Sequence, residues 1–210
     1  EIQFGHVERP THTNTSWDAA RFEFVAHRFV HVGEPDYGVA IVNGGIYGHE
    51  VVAVERAGGG RATLARLSLI RSPNFPDPRG ENGVHNFRYA IVPGASVADA
   101  VRHGYHFNLP LRLAQGEKEV GPLVALDDDA VVVEAVKAAD DRSGDVVVRC
   151  YESLGARATA ILKPGFPVRS ASTTDLLERE LERLEVGPGN QVRLQLRPFQ
   201  VVTVRLSRAE

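Results

Sequence analysis

The chain has 210 residues, of which 43% are hydrophobic, and a formal net charge of −3 at pH 7. This length supports one large core or two modest ones, and we predict two domains. Because the sequence has no concentrated basic surface, it predicts no nucleic acid and no anionic membrane as partner, while a neutral ligand such as a sugar fits.

The single cysteine, Cys150, allows no intrachain disulfide and no zinc cluster built from cysteines. No apolar run approaches the roughly 20 residues that a spanning helix needs. We therefore favour a cytoplasmic location. The chain has no methionine and opens with an alternating, strand-like sequence, so we expect a segment cut from a longer protein.

The first predicted feature is a polar, aperiodic loop in residues 3–18. Its threonine, asparagine and serine side chains are suited to local bonds with the backbone, which brace a loop that has no ladder of its own. A metal bound by His6, His12 and Asp18 is the alternative. The residues that we assign to this bracing or interface motif are His6, Glu8, Arg9, His12, Asn14, Trp17 and Asp18.

Most later segments show the two-residue period of half-buried strands. The predicted strands are residues 22–30, 37–42, 51–55, 61–70, 85–92, 130–138, 146–152 and 156–162. Consecutive glycines at 58–60 predict a tight hairpin because they supply positive φ angles. Residues 96–103 predict a short helix capped by Ser96.

The end of the chain alternates most clearly. Apolar residues at 192, 194 and 196, then at 202, 204 and 206, predict a terminal antiparallel pair with Pro198 at its corner. Residues 173–185 are ambiguous, since the spacing of their leucines and charges also fits a helix. The polar run at 116–121 predicts a domain boundary near residue 118, followed by an antiparallel sandwich of immunoglobulin-like size.

The best binding candidate is the loop at residues 71–85. Its prolines restrict the chain, and its side chains offer planar donors and acceptors that match sugar hydroxyls. The candidate substrate-proximal residues are Arg71, Asn74, Asp77 and His85. The alternative is a long solvated connection between strands.

Other polar clusters favour structural roles. His27 and His31 share a face by spacing, but the sequence around them is typical of a strand rather than of a zinc-binding helix. The acidic runs at 127–129 and 140–141 lack the central glycine of a calcium loop and are interpreted as solvated strand ends. Cys150 is predicted to be an inert core thiol.

Two segments carry a family resemblance. Residues 5–18, GHVERPTHTNTSWD, resemble the segment GHxERPTHxNTSWD of the glycoside hydrolase family 38 α-mannosidases. Residues 69–78, LIRSPNFPDP, and 85–90, HNFRYA, resemble a later segment in the same order. Residues 43–49, NGGIYGH, resemble the family's NDxKYGH turn, with two glycines in place of its usual polar pair, which argues against a ligand role there.

The resemblance implies an all-β fold: residues 1–118 would be the carboxyl-terminal part of a mutarotase-like supersandwich, and residues 119–210 a smaller immunoglobulin-like β-sandwich. It also implies extended chain at 173–185, because TDLLER in the relatives introduces the last strands. The earlier strands of the supersandwich would precede residue 1, so some sheet edges would be unpaired here. Unpaired edges favour pairing between copies of the chain, that is, homo-oligomers.

The resemblance further implies a function. The chain would be the accessory region of an α-mannosidase that hydrolyses terminal α-linked mannose, with the catalytic domain of the same chain and a mannose-containing glycan as partners. Zinc or a similar divalent metal would be held by a His-x-Asp-Pro element in that domain. That element is absent here, so we expect no cofactor in this segment and no activity from it alone. Arg71 would be the substrate contact. A stand-alone carbohydrate-binding or protein-interaction β-sandwich is the alternative.

Overall fold

The computed structural model describes residues 1–209. The chain divides into two compact units: unit 1 holds residues 1–3 and 7–111, and unit 2 holds residues 4–6 and the chain from residue 112 onward. Our assignment of domains 1–118 and 119–210 stays a prediction.

Unit 1 contains six strands and two helices. They are α1 (Ser16–Ala20), β1 (Phe24–Val25), β2 (Phe29–Glu34), β3 (Tyr37–Asn43), β4 (Gly48–Glu55), β5 (Arg61–Ser68), β6 (Tyr89–Pro93) and α2 (Val97–Asn108). The strands form two antiparallel sheets, with the orders β1-β4-β5 and β2-β3-β6. The predicted glycine hairpin between β4 and β5 is confirmed, with φ angles of 85° and 83° at Gly59 and Gly60.

The predicted helix at 96–103 is confirmed and extends to Asn108 as α2. Ser96 caps it: its hydroxyl accepts from the Asp99 amide at 3.1 Å, and the Asp99 carboxylate accepts from the Ser96 amide at 2.9 Å. Past His103, Gly104 brings the helix close to the start of β2, since a Cβ there would be 3.2 Å from Arg28 Cβ and 3.5 Å from Phe29 Cδ1.

Unit 2 is built from eight strands in two antiparallel sheets. The strands are β7 (Val124–Leu126), β8 (Val131–Ala138), β9 (Val146–Glu152), β10 (Ala158–Pro164), β11 (Val168–Thr174), β12 (Glu180–Leu184), β13 (Val192–Leu196) and β14 (Val201–Arg208), with a 3-10 turn at Pro188–Asn190. The sheet orders are β13-β10-β7 and β12-β11-β14-β9-β8.

A single apolar cluster fills unit 2, and both of its sheets contribute to it. Leu162 and Leu194 come from the three-stranded sheet, and Val148, Cys150 and Leu206 from the five-stranded one. All five are at most 3% exposed. Alternation along each strand places these side chains on the inner faces of a β-sandwich. The predicted all-β, antiparallel fold is therefore confirmed.

The predicted terminal pairing is wrong. The strands β13 and β14 form as expected, but β13 pairs with β10 whereas β14 lies between β11 and β9. The turn around Pro198 carries the chain from one sheet to the other. Both strands therefore bury their apolar residues in the same core without bonding to each other.

The ambiguous segment 173–185 is extended rather than helical. It forms the hairpin of β11 and β12, and the Asp175 carboxylate organises the turn by accepting from the amides of Leu177 and Arg179, both at 2.9 Å. The helical spacing of its leucines is overridden because pairing with β11 satisfies the backbone.

Several other boundaries differ from prediction. Residues 22–30 form two strands, β1 and β2, separated by a bend, and the strand predicted at 85–92 begins only at Tyr89. Residues 16–20, predicted as loop, form helix α1 because Thr15 and Asp18 make a capping box. No helix within residues 1–209 has the length and apolar character needed to cross a membrane.

Candidate functional site

The candidate binding loop connects β5 to β6 over residues 69–88 and has no helix or strand of its own. Apart from the half-buried Glu81, its residues are exposed. Five internal hydrogen bonds hold it. Three involve side chains: Asp77 Oδ1 accepts from the Arg79 amide at 2.9 Å, the Glu81 carboxylate accepts from the Ser72 amide, and His85 Nε2 donates to the Glu81 carbonyl at 2.8 Å. The other two join backbone groups, from the Gly80 amide to the Asp77 carbonyl and from the Asn82 amide to the Arg79 carbonyl. Glu81 therefore ties the two ends of the loop together.

Arg71 and Asn74 are two of the loop's uncommitted donors. Both are exposed, and neither side chain makes a hydrogen bond or ion pair within residues 1–209. The guanidinium offers five N–H donors and the amide two, which is the chemistry that hydroxyl-rich or anionic ligands need. His85, by contrast, is occupied: besides its bond to Glu81, its ring stacks on Phe87 with 6.0 Å between centroids and 5° between planes.

The motif at residues 5–18 begins in unit 2. His6 Nδ1 lies 3.1 Å from the Ser153 carbonyl, and its ring meets Phe199 edge-to-face at 5.1 Å. Phe199 fits closely against Gly5 and Gly155, since a Cβ on either glycine would come within 2.8 Å of its ring. His6 thus serves packing in this structure.

The rest of the motif lies in unit 1, centred on Asp18. Its carboxylate accepts from the Thr15 hydroxyl at 2.8 Å and from the Thr15 amide at 3.0 Å, and His12 Nδ1 lies 3.5 Å away. The hydrogen bond from the Thr15 hydroxyl is the main cause that lowers the pKa of Asp18. The Thr11 carbonyl accepts from the Ala53 amide at 3.0 Å, which fastens the segment to β4.

The remaining motif residues are at the surface. The Arg9 guanidinium lies 5.3 Å above the ring of Phe24. Glu8 and Asn14 are exposed, and Trp17, on α1, keeps 76% of its surface accessible. The capped turn therefore presents an indole to solvent.

The turn at residues 43–49 is organised by a fully buried amide. Asn43 Oδ1 accepts from the amides of Gly45 and Ile46 at 3.0 and 2.9 Å, and Asn43 Nδ2 donates to the His27 carbonyl at 3.0 Å. His49, 1% exposed, stacks beside Phe24, and burial lowers the pKa of its imidazole. These side chains hold the turn and are not accessible to a ligand.

No group of three or more histidine, cysteine, aspartate or glutamate side chains within residues 1–209 could hold a metal ion. His31 Nε2 lies 2.8 Å from the Ala95 carbonyl, and His27 Nδ1 lies 3.8 Å from a Glu1 carboxylate oxygen. In the acidic runs, Asp127 accepts from the Ile161 amide and Asp141 pairs with Arg205, so these carboxylates serve strand ends.

Glu152, which we did not single out from the sequence, is the most deeply buried carboxylate of unit 2. Its exposure is 0%, and its two oxygens accept from the amides of Leu154, Gly155 and Phe199 at 2.8, 2.9 and 2.9 Å. It thereby joins the turn after β9 to the turn before β14. The sequence signal was a lone acid at the end of an apolar strand, followed by Ser-Leu-Gly.

The chain is an all-β region made of two units with antiparallel sheets. One unit is a β-sandwich, and the other carries an exposed, proline-rich loop. Residues 1–79 match the family model "Glycosyl hydrolases family 38 C-terminal domain", and residues 130–204 match "Glycosyl hydrolases family 38 C-terminal beta sandwich domain". The chain belongs to the carboxyl-terminal region of glycosyl hydrolase family 38, and the predicted resemblance is confirmed.

Curated relatives match along nearly the whole chain. Alpha-mannosidase 2C1 of Homo sapiens is 37% identical over 217 residues, which cover 98% of this chain and 20% of that protein. Alpha-mannosidase G of Dictyostelium discoideum is 34% identical and the alpha-mannosidase of Saccharomyces cerevisiae 32%, again over 98% of this chain. The chain thus spans about one fifth of the length of these relatives.

A solved structure supports the fold. The crystal structure of an alpha-mannosidase from Enterococcus faecalis V583 is similar with a TM-score of 0.67 and 22% identity, over 96% of this chain and 23% of that one. At this level of identity the likeness concerns the fold.

Proposed function

We propose that this chain is the accessory scaffold of an α-mannosidase that hydrolyses terminal α-linked mannose, and that it acts together with a catalytic domain in the same protein. The observation that carries this proposal is the pair of family matches in chain order, together with relatives named alpha-mannosidases that align over 98% of the chain. In these relatives the matched region is a minor part of a larger protein.

The surface of unit 1 favours a scaffold role. The edge strand β6 exposes Tyr89 and Ile91 by 55% and 63%, in a sheet of only three strands. Large apolar side chains in such positions mark surfaces that another protein or domain covers. A catalytic domain packed on this strand would bury them, and a second copy of the chain is the competing occupant.

The loop at 69–88 is proposed to approach the sugar site. Its internal bonds to Asp77 and Glu81 hold it in shape, while Arg71 and Asn74 keep their donors available for mannose hydroxyls. Because groups fixed in position before binding lose less entropy, such a loop would contribute to both binding and turnover.

The bond-breaking chemistry is assigned to the catalytic domain. Retaining glycosidases need a carboxylate nucleophile and a second carboxyl group as acid and base, some 5 Å apart. Zinc or a similar divalent metal is proposed for that domain as well. The isolated 210-residue chain should therefore release no product from a chromogenic α-mannoside, and measurable turnover would overturn the scaffold proposal.

The loop is tested by Arg71→Ala in the complete enzyme. We expect a lower kcat/KM for α-mannosides and an unchanged melting temperature of the chain, because the Arg71 side chain makes no hydrogen bond or ion pair within residues 1–209. Arg61→Ala is the matched control, since the side chain of this arginine is 79% exposed and pairs with the exposed Glu55 at the glycine hairpin. Equal activity of the Arg71 variant and the control would contradict the loop's role.

A second candidate function is autonomous carbohydrate binding, and the exposed indole of Trp17 favours it. Sugar rings stack on accessible aromatic faces, and α1 holds this one on a capped turn. Since Trp17 is the only tryptophan, its fluorescence reports on its surroundings directly. Titration of the chain with mannose or mannobiose should change that emission if this function is real, and calorimetry on Trp17→Ala should then show lost binding.

A further inference from the structure

Two asparagines in unit 1 are each followed by glycine, and the structure places them in opposite environments. Asn43-Gly44 lies at the end of β3, whereas Asn82-Gly83 lies in the exposed loop between β5 and β6. An Asn-Gly sequence is the most reactive one for spontaneous loss of the side-chain amide, because glycine does not hinder the attacking backbone nitrogen. The two sites therefore form an internal comparison within one chain.

At Asn43 the folded structure blocks every participating group. The residue is 0% exposed, its Oδ1 accepts two backbone amides, and its Nδ2 donates to the His27 carbonyl. The nucleophile is occupied as well, since the Gly44 amide donates to the Arg88 carbonyl at 2.9 Å. Ring closure at this site would require breaking all of these bonds.

At Asn82 the same groups are free. The side chain is exposed, and neither it nor the Gly83 amide makes a hydrogen bond within residues 1–209. Gly83 has a φ of 152°, and a Cβ placed on it would meet nothing within 4 Å. The Asn82 amide donates to the Arg79 carbonyl at 3.0 Å, and this bond involves neither the Gly83 nitrogen nor the Asn82 side chain.

We propose that Asn82 is a deamidation site of this protein and that Asn43 is protected by the fold. The Gly83 amide nitrogen attacks Asn82 Cγ, a C–N bond forms, and the side-chain nitrogen leaves as ammonia to give a succinimide. Water then opens the ring at one of its two carbonyls, which yields aspartate or isoaspartate. Only water is consumed.

The products alter the loop in two ways. Each adds a negative charge next to Glu81 and near Asp77, on a segment where Arg71 is an uncommitted cation. Isoaspartate also lengthens the backbone between the Asn82–Arg79 bond and the bond of His85 to the Glu81 carbonyl. If the loop serves the substrate as proposed above, deamidation would lower that contribution; the modification itself does not depend on the proposed function.

The test is incubation of the folded chain at mildly alkaline pH, followed by peptide mapping and by isoaspartate labelling with protein isoaspartyl methyltransferase. We expect conversion at Asn82 and none at Asn43 in the folded chain. In urea we expect conversion at both sites, because unfolding releases both Asn-Gly pairs from the bonds of the fold. Asn82→Gln should abolish the native-state label, because its side chain would have to close a larger, slower ring.

Three results would overturn the proposal. In the first, Asn82 stays intact in the folded protein under conditions in which Asn43 converts in urea. In the second, the two sites convert equally in the folded chain. In the third, the isoaspartate label of the folded protein persists in Asn82→Gln. Asn82→Asp in the complete enzyme tests the consequence separately. Unchanged kcat/KM there would count against the loop's role in catalysis and leave the modification site standing.

Discussion

Removing the Glu152 carboxylate should destabilise unit 2 more than any single surface substitution. Its two oxygens hold three backbone amides from two different turns. Glu152→Ala would leave all three without their acceptor and open a cavity beside the fully buried Ser153. Hydrogen bonds to charged acceptors are worth more than neutral ones, and unsatisfied donors cost about 1–3 kcal/mol each.

We take the low end of that range because Gly155 and Phe199 are themselves partly accessible, so that water can reach the released amides. About 1 kcal/mol for each of three bonds gives a loss of about 3 kcal/mol in the free energy of unfolding. For a unit of this size that corresponds to a melting temperature lower by about 12–24 °C. Glu152→Gln, which keeps the shape and one acceptor oxygen, should lose about half as much.

Urea unfolding followed by circular dichroism measures the effect directly. The control is Glu180→Gln, because Glu180 is an exposed strand residue whose only ion pair is the surface contact with Arg183 at 3.4 Å, and such pairs contribute about 0–1 kcal/mol. If Glu152→Gln and Glu180→Gln unfold at the same urea concentration, the three bonds do not stabilise the fold and the argument fails.

Three further predictions concern unit 2. Gly155→Ala should lower the melting temperature more than Gly144→Ala. Both glycines have a positive φ, 76° and 90°, but a Cβ at 155 would come within 2.8 Å of Phe199, whereas a Cβ at 144 would meet no atom within 4 Å. Equal losses would mean that the contact with Phe199 is unimportant. Burial raises the pKa of the Cys150 thiol to about 12, so it should not react with a disulfide reagent at pH 8 until urea is added, and rapid labelling of folded protein would contradict its burial. The hydrogen bond from Arg205 is the main cause that lowers the pKa of Asp141 from 3.8 to about 2. Since the folded pKa is the lower one, the stabilisation is present above pH 3.8 and is lost as the pH falls toward 2. The stability difference between the wild type and Asp141→Asn should shrink over that interval, and a constant difference would count against the ion pair.

The strand content of the chain was predictable because a two-residue period follows directly from burial on one face of a sheet. The strands at 146–152 and 192–196 were found in this way almost to the residue. Pairing was not predictable from the same signal. The alternation in β13 and β14 indicates that each strand buries one face. Two strands of the same sheet and two strands in opposite sheets of a sandwich both give this pattern, so it does not determine which strands pair.

The helix-like segment at 173–185 shows the second limit. Leucines and charges at helical spacing are a local preference, whereas the hairpin of β11 and β12 depends on a partner strand and on the turn that Asp175 holds. Local preference is weak compared with such pairing. The motif segments were recognised without any periodicity. Their histidine, tryptophan, proline and charged residues stand in a fixed order, and such an order is specific to a family.

The segment that carries the candidate site was predictable as a loop, but the bonds inside that loop were not. Prolines and planar polar groups marked residues 71–85 as a rigid loop, and the structure leaves Arg71 and Asn74 exposed. The contacts of Glu81 with Ser72 and His85 could not be predicted from residue spacing. They join residues that lie apart in the sequence and depend on how the loop folds. Because the His85 ring already bonds to the Glu81 carbonyl, the binding proposal depends mainly on Arg71 and Asn74.

Two fully buried polar side chains, those of Asn43 and Glu152, act on the chain's own backbone. Asn43 and Glu152 each take up backbone amides of a following turn, and such groups are costly to bury unless their bonds are made. Polar groups spent in this way cannot also bind a ligand. A binding role is therefore best sought among the side chains whose donors remain unused, and Arg71 and Asn74 meet that condition on a loop held by bonds of its own. The two asparagines followed by glycine differ in the same way. The Asn43 side chain holds a turn through its bonds and is proposed to be protected by them, whereas the Asn82 side chain makes no bond within residues 1–209 and is proposed to deamidate.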